Sequence, residues 1–206
     1  MDQTVLLIFN LAVLIMSVVV HEVSHGLMAK RLGDNTAKDL GRLSFNPLKH
    51  LDFMGSFLVP LLSYIGGGFV FGWAKPVPYN PYNIKNQKWG PAMVAGIGPV
   101  SNFAIALVFG MALRFISAIP AETALAISLI VYINILLGLF NLMPIPPLDG
   151  SKILAAVLPY KYERQLNLLE RYGFFLVLLF VFFVFPLITP IIPIIFRFIT
   201  GFPLIG

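Results

Sequence analysis

The 206-residue chain contains no cysteine, only three histidines and two tryptophans, and little charge: 11% of its residues are Asp, Glu, Lys or Arg. Without cysteine there is no disulfide framework and no thiol nucleophile, so any transition-metal site must be built from imidazole and carboxylate. So little charge, beside 58% apolar residues, excludes an ordinary soluble domain and places the chain among polytopic membrane proteins. Acidic residues are the scarcer sign, nine against fourteen basic ones, for a net charge of +5. In a soluble protein that excess would suggest nucleic acid. Here it marks loops facing a cytoplasm-like side, and no nucleic-acid partner is expected. No internal repeat is visible. A single integral-membrane domain over 1–206 is expected, with a core at 4–158 and a C-terminal helical segment at 160–206, because a separate soluble module of ordinary size has no room.

What is present is a succession of membrane-length apolar runs. Residues 4–31 read as a first helix ended by Gly33-Asp34-Asn35, and its apolar stretch from Val5 to Val20 is interrupted by little more than Asn10 and Ser17. The run lacks the basic start and small-residue cleavage site of a signal peptide and is expected to remain in the mature chain. Residues 51–71 are apolar but broken by Pro60 and Gly66-Gly67-Gly68. A polar, proline-spaced loop follows at 72–81. Clear spans are expected at 91–119 and 124–142, short interfacial helices at 151–159 and 160–172, and a last apolar segment at 173–200 bent by Pro186, Pro190 and Pro193. The fold class is therefore all-α and polytopic, with about 4–6 transmembrane or re-entrant helices and a short irregular or β-like membrane-associated segment.

The cations set an orientation. Lys30, Arg31, Lys38, Arg42 and Lys49 form one group, Lys75, Lys85 and Lys88 a second, and Lys152, Lys161, Arg164 and Arg171 a third; only Arg114 and Arg197 lie elsewhere. If all three groups face the cytoplasm, segment 51–71 enters and leaves on the same side, buried against protein. The alternative is a full span with three lysines outside.

Chemistry concentrates in His21-Glu22-Val23-Ser24-His25. Two histidines four apart on a helix share one face and can chelate one ion, and the adjacent glutamate can reach a water on it. Ionisable groups inside an apolar run are costly enough to require a function. A catalytic zinc takes three protein ligands and keeps one open position. With no cysteine and only His50 left among histidines, a carboxylate is expected as the third. Asp149 is the candidate, presented just past an apolar helix that breaks at Pro144, Pro146 and Pro147. Glu22 then serves as general base.

Together with Asn141-Leu142-Met143-Pro144-Ile145-Pro146-Pro147-Leu148-Asp149-Gly150, this motif resembles the site-2 protease family, intramembrane zinc metalloproteases that pair H-E-x-x-H with N-x-x-P-x-x-P-x-D-G. Gly98-Pro99-Val100-Ser101-Asn102 resembles that family's G-P-x-x-N element. The loop at 72–81 looks like that of small members lacking a PDZ domain. The resemblance implies one zinc per chain held by His21, His25 and Asp149, Glu22 as base, and Asn141 holding the substrate backbone or polarising its carbonyl. It implies hydrolysis of a peptide bond in or near a transmembrane segment of a membrane-protein substrate, in a bacterial or archaeal cell membrane.

Helix rise puts His21 about 24 Å from Val5 in a hydrocarbon core about 30 Å thick. The site is thus expected a little inside the cytoplasmic face, and backbone near 66–77 could pair with an unwound substrate. Asn102 reads equally as a substrate contact lining the site or as an interhelical hydrogen bond beside a close-packed glycine. His50 and Asp52 read as capping groups after a turn, and Asn134 and Arg114 as interhelical or snorkelling contacts. The competing functions are a catalytically silent zinc-binding scaffold and a small transporter. The transporter does not call for this His-Glu-x-x-His and Asp constellation.

Overall fold

In a computed structural model, which describes residues 2–59, 61, 62, 65 and 72–204, the described parts of the long apolar runs are mainly helical. Helix α1, Gln3–Arg31, has 29 residues. At 1.5 Å per residue it is about 43 Å long, so it outruns the hydrocarbon core at its basic end, where Lys30 and Arg31 occupy the last turn. Its first half is bare, with Val5 50%, Leu7 60% and Ile8 62% exposed. Large apolar side chains open to water over such a length are what lipid, not solvent, accommodates. From Ser17 onward α1 buries one face through His21 and His25 to Ala29.

Gly33 follows α1 with φ +113°, a left-handed conformation that suits glycine and turns the chain away from the helix axis. The next residue, Asp34, is fully buried. Its carboxylate accepts from the Thr36 hydroxyl (2.6 Å), the Asn83 side-chain amide (2.8 Å) and the Asn80 backbone N–H (2.7 Å). The end of α1 is thereby fastened to the loop that precedes the next long helix. Short helix α2, Thr36–Asp39, stands beside it.

The two flanks of segment 51–71 meet. The Trp73 N–H donates to the Gly55 carbonyl (3.0 Å) and the Lys75 N–H to that of His50 (2.8 Å). Between them the chain enters a wide helical turn at Met54–Leu58. The Gly66-Gly67-Gly68 and Pro60 interruptions lie outside the described residues. Residues 72–80 form neither helix nor turn, and no β-strand forms among the described residues.

Helices α3, Gly90–Phe115, and α4, Ala121–Asn141, pack along each other, and α3 also lines α1. Small residues make the approach close: Gly138 faces the Phe103 ring and Gly110 faces Ile199. A dry cluster of Ala106, Val131, Ile135, Ile192 and Phe196 joins α3 and α4 to the C-terminal helix. After α4 the three-proline turn leads into α5, Asp149–Val157. Then come α6, Glu163–Arg171, α7, Gly173–Leu179, α8, Phe185–Ile188, and α9, Ile191–Thr200. Arg114 at the end of α3 donates to the Phe198 carbonyl of α9 (2.9 Å), the interhelical role expected for it. By length and composition α1, α3 and α4 can cross a membrane. The pair running from Tyr160 to Ile188, bent by 75°, makes up to four such spans.

Candidate metal centre

His21 and His25 lie one turn apart on the buried face of α1, their rings edge to face with centroids 4.6 Å apart. Each uses its Nδ1 behind the site. His21 Nδ1 is 2.7 Å from Asn102 Oδ1, and His25 Nδ1 is 2.6 Å from the Val94 carbonyl oxygen. A carbonyl oxygen only accepts, so His25 carries its proton on Nδ1. The same holds for His21, by a longer chain. Asn134 donates its amide to the Ile130 carbonyl and to the Ser17 hydroxyl (both 2.9 Å), which leaves Asn134 Oδ1 as an acceptor. That oxygen accepts from the Asn102 amide nitrogen at 3.0 Å, and the same nitrogen lies 3.4 Å from the Ser17 carbonyl. Asn102 therefore presents oxygen to His21.

Both Nε2 lone pairs consequently point away from α3, into the same space. Asp149 points there too, with Oδ2 3.0 Å from His21 Nε2 and 3.2 Å from His25 Nε2. The oxygen is buried and has no hydrogen-bond donor among the described residues. Three acceptors facing one another without a proton repel, unless a cation lies among them. Ligand atoms on a tetrahedral zinc with ordinary bond lengths are about 3.3 Å apart, close to these separations. The donor set, two imidazoles and a carboxylate, suits that ion.

Two glycines make the convergence possible. A Cβ on Gly98 would fall on both imidazole rings, and one on Gly150 would fall on the Leu142 and Met143 carbonyls. The first lets α3 press against the rings; the second lets the turn after α4 fold under Asp149. The glycines of the G-P-x-x-N and D-G elements thus have steric reasons in this chain.

Glu22 is half-buried, with a carboxylate oxygen within 4.8 Å of the two histidines. Its Oε2 accepts the Val77 backbone N–H at 2.8 Å. Glu22 and His21 stand between two cavities. The smaller, about 160 Å³, is lined by both histidines, Asp149, Asn141, Tyr79 and Lys152. The larger, about 450 Å³, has mostly apolar walls from Trp73, Ala74, Phe140, Phe174 and Val177, with Asn141 at its edge.

Of the residues expected from sequence, His21, Glu22, His25, Asp149 and Asn141 come together. Asn141 turns its amide back onto the Leu137 carbonyl (3.0 Å). Asn102 is different: it is fully buried, lines neither cavity, and stands behind His21, so of its two readings the interhelical one describes its position. His50 lies apart, donating Nε2–H to the Ser44 carbonyl (2.8 Å), and Asp52 caps Gly55 (2.8 Å). In the sequence Ser17 reads only as an interruption, Val77 only as the end of a stretch of backbone near 66–77, without its donation to Glu22, and Lys152 only as a loop cation. An uncharged polar residue in each of three apolar runs, Ser17, Asn102 and Asn134, was the available signal for the network.

Comparisons with known proteins bear on this site. The profile of peptidase family M50 matches residues 115–182, a stretch that holds Asn141 and Asp149. The "Putative zinc metalloprotease YwhC" of Bacillus subtilis is 36% identical over 182 residues, 84% of this chain and 79% of that protein. The "Putative zinc metalloprotease Rip2" of Mycolicibacterium smegmatis is 30% identical over 79% of this chain and 62% of its own length. That of Mycobacterium tuberculosis H37Rv is 28% identical over 84% and 65%. The chain thus spans under two thirds of the mycobacterial relatives. No solved structure matches significantly.

Proposed function

Since the chain belongs to peptidase family M50, the site-2 protease family of zinc metalloproteases, we propose that it hydrolyses a peptide bond in or near a transmembrane segment of a membrane-protein substrate. One observation carries this reading: two imidazole Nε2 atoms and the Asp149 carboxylate converge beside Glu22 on a membrane-spanning helix.

His21, His25 and Asp149 hold one zinc per chain. A zinc ion there supplies Lewis acidity, polarising a peptide carbonyl and making water nucleophilic near neutral pH. Glu22 takes the proton of the attacking water and delivers it to the departing amine. Val77 fixes one oxygen of that carboxylate and leaves the other for the proton. Asn102 keeps the His21 ring turned toward the ion, a positioning task. Asn141, on the wall shared by both cavities, holds or polarises the substrate carbonyl.

The substrate enters from the apolar side. A transmembrane helix hides its carbonyls in internal hydrogen bonds and must unwind before one can react. The larger cavity accepts its apolar side chains. Trp73 and Lys75 spend their N–H groups on Gly55 and His50. Ala74, between them in the loop, lines that cavity and is the residue offered for backbone pairing. Residues 1–206 act as one membrane-embedded domain. The site lies toward the cytoplasm, because the cations around it, Lys30, Arg31, Lys75 and Lys152, are those that stay on that side. The segment 51–71, expected to re-enter on that side, lies in large part outside the described residues; its described flanks are joined.

The test is purified wild type beside Glu22→Gln, with zinc content measured and single-span substrates offered to each. Zinc in both and cleavage only by the wild type is expected. Zinc in the wild type without cleavage of a broad substrate panel would leave a silent scaffold instead.

A further inference from the structure

Among the described residues, Lys152 contributes the one Lys or Arg side chain in the wall of the 160 Å³ cavity, which also holds the carboxylates of Glu22 and Asp149. It follows Asp149 by three residues on α5, so the two share a helix face. It forms no ion pair among the described residues, although two carboxylates line the same cavity. Its ammonium instead lies 5.7 Å from the centre of the Tyr79 ring, within the range of a cation–π contact. Lys152 and Tyr79 also line an outer basin of about 310 Å³, together with Lys88 and Glu170. The pair therefore forms the partition between the proposed metal cavity and the outer basin.

A half-buried ammonium held by an aromatic face, with no anion of its own, is a place prepared for an incoming one. Peptide hydrolysis supplies such an anion. The bond between carbonyl carbon and nitrogen breaks, the water oxygen stays on the carbon, and one new carboxylate and one new amine result. The carboxylate is created beside Glu22 and Asp149, whose two negative charges already balance those of a divalent ion held there. The adjacent ammonium is then the cation left to pair with it on the side facing the outer basin. An acidic side chain near the scissile bond would present the same chemistry.

We infer that Lys152 is a carboxylate-recognition residue at the mouth of the metal cavity, pairing with the new C-terminal carboxylate of the cleaved segment or with an acidic substrate side chain beside the cut. This inference rests on the metalloprotease reading and extends it to substrate and product selection.

The experiment uses zinc-loaded Glu22→Gln protein, which binds without turnover, and three short apolar peptides of matched sequence. One ends in a free carboxylate, one in a carboxamide, and one in a carboxamide with an internal aspartate. A carboxylate-bearing peptide should bind about tenfold tighter than the neutral one. The preference should vanish in Lys152→Met and survive in Lys152→Arg. Preference for the free acid identifies the product terminus as the source; preference for the internal aspartate identifies a substrate side chain. Equal binding of all three, or a preference that persists in Lys152→Met, overturns the inference. Zinc content of the same samples separates the two readings. Metal present without a carboxylate preference removes the role of Lys152 alone, whereas metal absent removes the metal assignment and this inference with it.

Discussion

The backbone N–H of Val77 donates to Glu22 Oε2 across 2.8 Å, joining the polar loop to the residue beside the first histidine. Val77 lies between Pro76 and Pro78, neither of which has an N–H. The tripeptide thus owns one backbone donor, held by rigid neighbours, and gives it to Glu22. Removing it frees the carboxylate to rotate without touching the metal ligands. Val77→Pro is expected to lose about a hundredfold in kcat, the scale of a mispositioned catalytic group, while zinc content stays unchanged. Val77→Ala keeps the N–H and most of the activity. Equal activity in the two variants would show that Glu22 does not need this donor.

Asn134 lines neither cavity, yet through Asn102 it decides which nitrogen of His21 carries the proton. Replacing it with leucine removes the orienting amide. Zinc affinity, measured by chelator competition, should fall about tenfold to a hundredfold, the range for lost outer-shell partners. Nitrogen NMR of His21 should show the Nδ1–H form giving way to a mixture. A loss of thermal stability with unchanged affinity and tautomer would make the network purely structural.

Gly98 admits the two imidazole rings to the surface of α3. Gly98→Ala is expected to push them off the point where Asp149 meets them, so the variant should remain helical by circular dichroism yet purify with little zinc. Gly96→Ala is the control. There a Cβ meets only the Ile153 side chain at an ordinary 3.7 Å, and metal should be retained.

Asp34 carries the acid sensitivity of the loop. Burial alone would raise its pKa, but the hydrogen bonds from Thr36, Asn83 and Asn80 outweigh that and hold it below the ordinary aspartate value. A carboxylate with a depressed folded-state pKa stabilises the fold above its unfolded pKa, about 4, and loses that contribution as pH falls through the lower folded value. Wild type should therefore exceed Asp34→Asn in thermal stability at pH 7, with the gap closing only below about pH 4. A gap independent of pH down to 3 would assign the difference to packing.

The elements of the candidate site are legible because they are local. A four-residue spacing on a helix and an aspartate after a proline-broken turn carry their geometry in the sequence, and the span boundaries followed from apolar length. Asn102 was readable as polar but not as facing away from the cavity, since that depends on how α3 rotates against α1. Ser17 and Asn134 are 117 residues apart in a hydrogen bond that no periodicity reports. Val77 was invisible for another reason: its side chain is an ordinary buried valine, and the group that matters is one every residue but proline possesses. Lys152 looked like any loop cation until α5 set it one turn from Asp149.

The network from Ser17 through Asn134 and Asn102 to His21 is built wholly from hydroxyl and amide groups. Moving one elementary charge through a membrane potential of 100 mV changes its energy by about 2.3 kcal/mol, but a dipole fixed in place moves none. The support behind His21 therefore offers the transmembrane voltage nothing to pull on. An energised and a de-energised cell would hold the same imidazole in the same orientation.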